Sequence, residues 1–435
     1  MAIQIDTFVD SHCHMFTAAD VPLHATISQN IHHPLVVLFG GVFAGLGFKN
    51  YEKFIKFFDQ ESLQNVEQIV GELKKALEGE FKDSFHVETN KLILTPLVMD
   101  FDRNGNVRKF EGQVERLINA AKAFEDKPPV KDIKVLPFIG LDPRKFVYRD
   151  GVLQDSAGVR SVLKSFLQER GVIDAHSDAR VPKDSLENGD ILGIKLYPPL
   201  GFHVYPDDVA KREAYLAMYE LLAEYQIPVT VHCQRDSYNL ASSDMETFTT
   251  PENWASVLGT NSTLAKLRLN LGHFGGEKEV ARAVNWSDGG SDSATSHFAT
   301  GVSHIGWTTE IIKLLKGYEH TYADISAFDY RNDQSCASLL WLLAYDESGK
   351  FDEYGEFALA DKLMWGSDYP MILDRDYTSY QKFFAAFVKA IIDRDLIRER
   401  NIYRIPADNQ IPLSPVELLK VLVGSNPSQF LFGES

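Results

Sequence analysis

The chain has 435 residues, 44% hydrophobic and 24% charged, enough for one large barrel or two ordinary domains of a soluble globular protein. Its formal net charge of -17, from 44 Lys+Arg against 61 Asp+Glu, repels phosphate backbones and anionic membrane surfaces, which argues against nucleic acid as a partner. Three widely spaced cysteines, Cys13, Cys233 and Cys336, give no disulfide framework and fit a reducing compartment, by default the cytoplasm. The first residues lack the basic start and apolar run of a secretory signal.

The first apolar run, Thr7-Phe8-Val9-Asp10-Ser11-His12-Cys13-His14, predicts a strand. Side chains alternate along a strand, so His12 and His14 share a face and both imidazoles can reach one cation. A long insertion over 15–90 follows, with a helical pattern at 50–77 and an apolar stretch at 34–48. That stretch is shorter than the ~20 residues of a spanning helix and is weakened by glycines, so no transmembrane segment is expected. It reads as a buried hairpin or helix, or as an apolar lid or a contact between copies in a homo-oligomer.

Beyond the insertion, short β-branched runs alternate with longer helical patterns, which implies parallel strands with helices outside them. The second strand is expected at 91–99 and the third at 133–140, with helices over 110–124 and 157–169. The fourth falls at 191–197, followed by a helix over 207–225; the fifth to eighth fall at 228–232, 267–273, 321–325 and 362–368. The Gly/Ser/Asp-rich stretch 285–296 reads as a surface loop. Eight such units predict an α/β protein: a single (β/α)8 TIM-type barrel domain over 1–435, with the 15–90 insertion after its first strand.

In this barrel class the active site collects at the C-terminal strand ends. Those ends carry His12 and His14, Lys195, His232, His273 and Asp368, and barrel closure would bring them around one axis. Imidazoles with a carboxylate suit zinc first, with iron, manganese and nickel as alternatives, whereas calcium would demand oxygen ligands. Singly, each has a plain structural reading, a hydrogen-bonded histidine or a lysine reaching solvent. Ligand types at five separate strand ends make the metal reading the better one.

This ordered set resembles the amidohydrolase superfamily. Val9-Asp10-Ser11-His12-Cys13-His14, Leu271-Gly272-His273-Phe274-Gly275-Gly276, Trp365-Gly366-Ser367-Asp368-Tyr369-Pro370 and the closing segment from Gly424 to Gly433 are similar to its amidohydrolase-related branch of hydrolases, lactonases and nonoxidative decarboxylases. The resemblance implies a divalent metal held by His12, His14 and Asp368, a water made acidic by that metal, and Asp368 passing its proton to the leaving group. His232 would be a further ligand, and His273 either a ligand or a free general acid/base. Lys195 leaves two alternatives. Carboxylated, it would bridge two ions; unmodified, it would sit beside a single ion and bind an anionic group of the substrate.

Tyr197, His203 and Arg235 follow the fourth and fifth strands as candidate substrate contacts, with Asp324 and Ser326 at the mouth of the pocket. Arg235 could clamp a carboxylate or pair with a neighbouring acid. The functional expectation is a metal-dependent hydrolase acting on an amide, ester or lactone carbonyl of a small molecule. The alternatives are a metal-dependent nonoxidative decarboxylase and a catalytically silent binding protein on the same scaffold.

Overall fold

The computed structural model describes residues 2–15, 86–101, 110–122, 132–149, 151–235, 245–286, 297–369, 371, 380–392, 403–404 and 413–433. Strand β1 (Ala2–Cys13) pairs in parallel with β2 (His86–Pro96), and β2 with β3 (Asp132–Val135). A second parallel sheet holds β4 (Phe138–Gly140), β5 (Gly193–Leu196), β6 (Val229–Gln234), β7 (Leu269–Gly275), β8 (Thr321–Asp324) and β9 (Leu363–Met364), neighbours in chain order. Strands β5, β7, β8 and β9 are buried along their whole length, as parallel strands covered on both faces are.

The covering helices follow local signals. Helix α1 (Ser156–Glu169) starts where the Asp155 side chain accepts from Gly158 N at 2.8 Å, and it buries Val159, Leu163 and Leu167 at four-residue spacing. Helix α2 (Val209–Glu224) starts at Asp208, which accepts from Lys211 N at 2.8 Å. The main core includes Leu163, Met218 and Leu222 from these helices together with inward residues of the strands. A smaller apolar cluster draws on both sheets through Val9, Ile93, Phe138, Tyr322 and Met364, with Phe430 and Leu431 against it.

Backbone hydrogen bonds join the two sheets at both edges. Val98 N donates to Phe138 O at 2.9 Å on one side; on the other, Ser11 N donates to Trp365 O at 3.3 Å and Asp368 N to His12 O at 2.6 Å. The architecture is therefore mixed α/β with parallel sheets. Among the described residues, no helix is long and apolar enough to cross a membrane.

Two expected strands differ from the observed ones. The run 133–140 divides at Pro137, which has no amide hydrogen to give a ladder, so β3 pairs with β2 while β4 pairs with β5. The eighth strand shortens to Leu363–Met364, and Trp365 to Asp368 follow as irregular chain. The start of the expected loop at 285–296 is instead strand, since Val284–Trp286 pairs antiparallel with His297–Val302. Residues 16–85 and 287–296 lie outside the described residues, and with them the apolar stretch, the helical pattern at 50–77 and nearly all of the insertion.

Gly193 lets β4 and β5 approach, because a Cβ there would lie 2.4 Å from Phe138 Cε1 and 2.5 Å from Pro228 O. Gly193→Ala is expected to destabilise the protein by about 1–3 kcal/mol, the range for overpacking a filled core. Denaturant unfolding checks this, and an unchanged midpoint would remove the packing constraint.

Candidate metal centre

His12 and His14 lie at the end of β1, where the pairing register with β2 shifts between Asp10 and Cys13. Their rings are 5.3 Å apart, and both are buried. Asp368, beyond β9, reaches them: its Oδ1 is 3.1 Å from His14 Nε2 and 3.6 Å from His12 Nε2. One donor atom from each of the three residues lies within 4.8 Å of the other two.

Two acceptors orient these imidazoles. His14 Nδ1 donates to Leu97 O at 3.0 Å, and His12 Nδ1 donates to Asp324 Oδ2 at 2.8 Å. Carbonyl and carboxylate oxygens only accept, so both rings carry a proton on Nδ1; this leaves a lone pair on His12 Nε2, while His14 Nε2 faces the Asp368 carboxylate. His12 Nε2 is buried with no hydrogen-bond partner. Asp324 also accepts from Asn270 Nδ2 at 2.7 Å, from His273 N at 3.0 Å and from both the amide and the hydroxyl of Ser326. The grouping of His12, His273 and Asp324 is thus a hydrogen-bonded cluster.

Behind the histidines, Asp10 accepts from Ser367 N at 2.9 Å, from Tyr380 Oη at 2.9 Å and from His12 N at 3.3 Å. It thereby ties β1 to the Asp368 segment and to helix α3 (Tyr380–Ile392). Gly366 permits the same approach, since a Cβ there would lie 2.5 Å from His12 Cβ. His273, Phe274, Ala327 and Asp368 all adopt positive φ between 48° and 69°, a strained choice for side-chain-bearing residues. Four of the six such non-glycine residues described cluster here, a local concentration of backbone strain.

His232 and His273 face each other, with His273 Nε2 3.1 Å from His232 Nδ1, and Ser326 Oγ lies 2.9 Å from His273 Nδ1. Burial lowers the proton affinity of His12, His232 and His273, the last to about 3, and the Lys195 charge acts in the same direction. Burial likewise brings the Lys195 amine down to about 8, against the pull of Asp324 and Asp368. Burial alone would raise the Asp368 carboxyl, but its His14 hydrogen bond and the nearby imidazoles bring it to about 2.

The expected residues thus divide. His12, His14 and Asp368 converge, His232 pairs with His273, and Tyr197 packs its ring 5.0 Å from His232. Lys195 is buried, its Nζ without a hydrogen-bond partner. His203 is exposed against Phe248, and Arg235 lies 3.4 Å from the Glu279 carboxylate and over the Trp307 ring. Asp324 and Ser326, expected to line the mouth, are instead buried and bonded to the histidines. Asp10 and Tyr380 were not anticipated. Asp10 stands in the same short motif as His12, whereas no local pattern singles out Tyr380.

The donors present fit a divalent ion. His12 Nε2, His232 Nε2 and Lys195 Nζ are buried polar atoms without hydrogen bonds, and two imidazoles with a carboxylate suit borderline cations.

Sequence comparison agrees with this chemistry. A family model described as amidohydrolase matches residues 183–424, more than half of the chain. The chain belongs to the amidohydrolase family and is a metal-dependent hydrolase of that family. No curated protein matches it by sequence. Among solved structures it is similar to a probable 2-pyrone-4,6-dicarboxylic acid hydrolase from Acinetobacter baumannii with citric acid bound, at 13% identity over 98% of this chain and 99% of that one, TM-score 0.44. It is also similar to a mutant organophosphorus hydrolase from Deinococcus radiodurans, at 11% identity over 99% and 97%, TM-score 0.43. A third likeness is 4-oxalomesaconate hydratase from Rhodopseudomonas palustris, at 12% identity over 98% and 95%, TM-score 0.40.

Asp324→Asn places an amide where a carboxylate accepts five hydrogen bonds. The substitution is expected to destabilise the fold by about 2–4 kcal/mol, the cost of breaking a buried charged network. An unfolding midpoint equal to that of the unaltered protein would contradict the role assigned to Asp324.

Proposed function

We propose that the two sheets form one closed (β/α)8 barrel domain over 1–435, with 15–90 as its insertion. We further propose that the centre at its strand ends hydrolyses an amide, ester or lactone carbonyl of a small molecule. The observation that carries this reading is the convergence of the buried His12 Nε2 and His14 Nε2 on Asp368 Oδ1, with His12 Nε2 left without a partner. His12, His14 and Asp368 would hold one divalent ion, zinc in the first instance, with His232 Nε2 as a further donor. Bound there, the ion supplies Lewis acidity, polarising a carbonyl and lowering the pKa of water.

The chain's own groups do the rest. Asp368 is ionised at neutral pH and takes a proton on a carboxylate oxygen, then returns it to the leaving group. Asp324 holds His12 in the tautomer that offers Nε2, and the Leu97 carbonyl anchors the His14 ring through Nδ1. Tyr197 packs edge-on against the His232 ring and steadies it. Both nitrogens of His273 are committed, to His232 and to Ser326, which favours a single ion over a pair bridged by a carboxylated Lys195. Arg235 and His203 stand as outer substrate contacts, Arg235 sharing its charge with Glu279.

Three measurements test this. Metal analysis is expected to give one ion per chain and an unmodified Lys195; two ions with a carbamate would replace the mononuclear reading. Asp368→Asn is expected to lower turnover by about 10²–10⁴-fold, the range for a general acid/base, while most metal stays bound. Full activity would remove Asp368 from proton transfer. With ¹⁸O-labelled water, label is expected in the product; carbon dioxide release without label would establish the lyase alternative.

A further inference from the structure

The hydrogen-bond directions around His273 run one way. Asp324 Oδ1 already accepts from His273 N and Ser326 N, at 3.0 and 3.1 Å, and a carboxylate has no proton to give. The Ser326 hydroxyl has a single proton, and it goes to Asp324 Oδ1. Ser326 Oγ is therefore left as an acceptor, and the atom 2.9 Å away, His273 Nδ1, must be its donor.

A neutral imidazole has one N–H, so His273 Nε2 carries a lone pair and accepts from His232 Nδ1 at 3.1 Å. His232 in turn has its lone pair on Nε2, which is buried and bonded to nothing. The opposite order would turn the Ser326 proton towards His273 and leave its oxygen facing a carboxylate oxygen at hydrogen-bond range, two acceptors with no proton between them.

We infer that Ser326 is a positioning residue that sets the tautomers of two histidines in series: through His273 it commits His232 to present Nε2. Three hydrogen bonds thus carry the polarity of the Asp324 carboxylate to a side chain on β6 that Asp324 does not bond. A consequence is that His273 is occupied as an acceptor and does not compete with His232 for a cation. The part that concerns metal affinity rests on the proposed role of His232 as a donor; the tautomer assignment does not.

The test uses the full chain with ¹⁵N-labelled histidine after chelator treatment. Long-range ¹⁵N–¹H spectra are expected to show His232 and His273 both protonated on Nδ1; a proton on Nε2 of either overturns the inference without any substitution. Ser326→Ala removes one oxygen and no other atom that packs. It is expected to mix the tautomers of both rings and to weaken zinc binding, measured by competition with a chromophoric chelator, by about 10–100-fold. Unaltered tautomers in that variant overturn the positioning role, which simple packing would leave unmoved. Altered tautomers with unchanged zinc affinity would uphold the relay and remove His232 from the ligand set, so failure of the site assignment is told apart from failure of the relay.

Discussion

A single buried carboxylate governs the centre. Asp324 receives donors from His12, Asn270, His273 and Ser326, residues contributed by β1, β7 and its own strand end. Burial alone would push such a carboxyl up, but the His12 proton and the Ser326 hydroxyl reverse that and hold it well below the ordinary carboxylate range. An acceptor that never gains a proton is an unambiguous reference for every group bonded to it. The tautomers of His12, His273 and His232 descend from that one fact.

The second constraint is topological. His12 and Asp368 lie near opposite ends of the chain, and the backbone of each bonds the other through Asp368 N and His12 O at 2.6 Å. Asp10 reinforces the seam by accepting from His12, Ser367 and Tyr380, and Gly366 leaves room for it. The donor set cannot preassemble in a local segment, because it exists only once the first and last strands are side by side. The family match over 183–424 contains Asp368 but not His12 or His14, and the fold brings all three side chains together.

What could be read from the sequence follows from how local each signal is. His12 and His14 announce themselves because one residue separates them on a strand, and Asp368 because it ends a glycine-bearing motif after an apolar run. The alternation of apolar runs with helical patterns placed β5 to β8 within a few residues of their observed bounds. Around Pro137 the apolar character continues on both sides, so local pattern alone gives one strand where the structure has two. Asp324 and Ser326 stand at a strand end in the sequence pattern, but the direction of their side chains depends on His12 and His273, whose positions only the folded chain supplies. Arg235 shows the converse: residue type and strand-end position suggested a substrate clamp, and a buried glutamate 44 residues away takes part of its charge.

Charge at the centre bears on the proposed binding of a cation there. The Lys195 ammonium is close enough to depress the proton affinity of His12, His232 and His273, so it favours the neutral rings whose lone pairs a metal needs. By itself that ammonium would also repel a dication. Asp324 and Asp368 answer it, setting two carboxylates against one ammonium around the donor atoms. Because burial has already weakened the hold of Lys195 on its proton, bringing it to about 8, an added positive charge nearby would loosen that proton further and move the balance towards binding. Burial, with the lysine charge adding to it, thus disfavours protonation of His12, His232 and His273, and an arriving cation diminishes the repulsion that the lysine opposes to it.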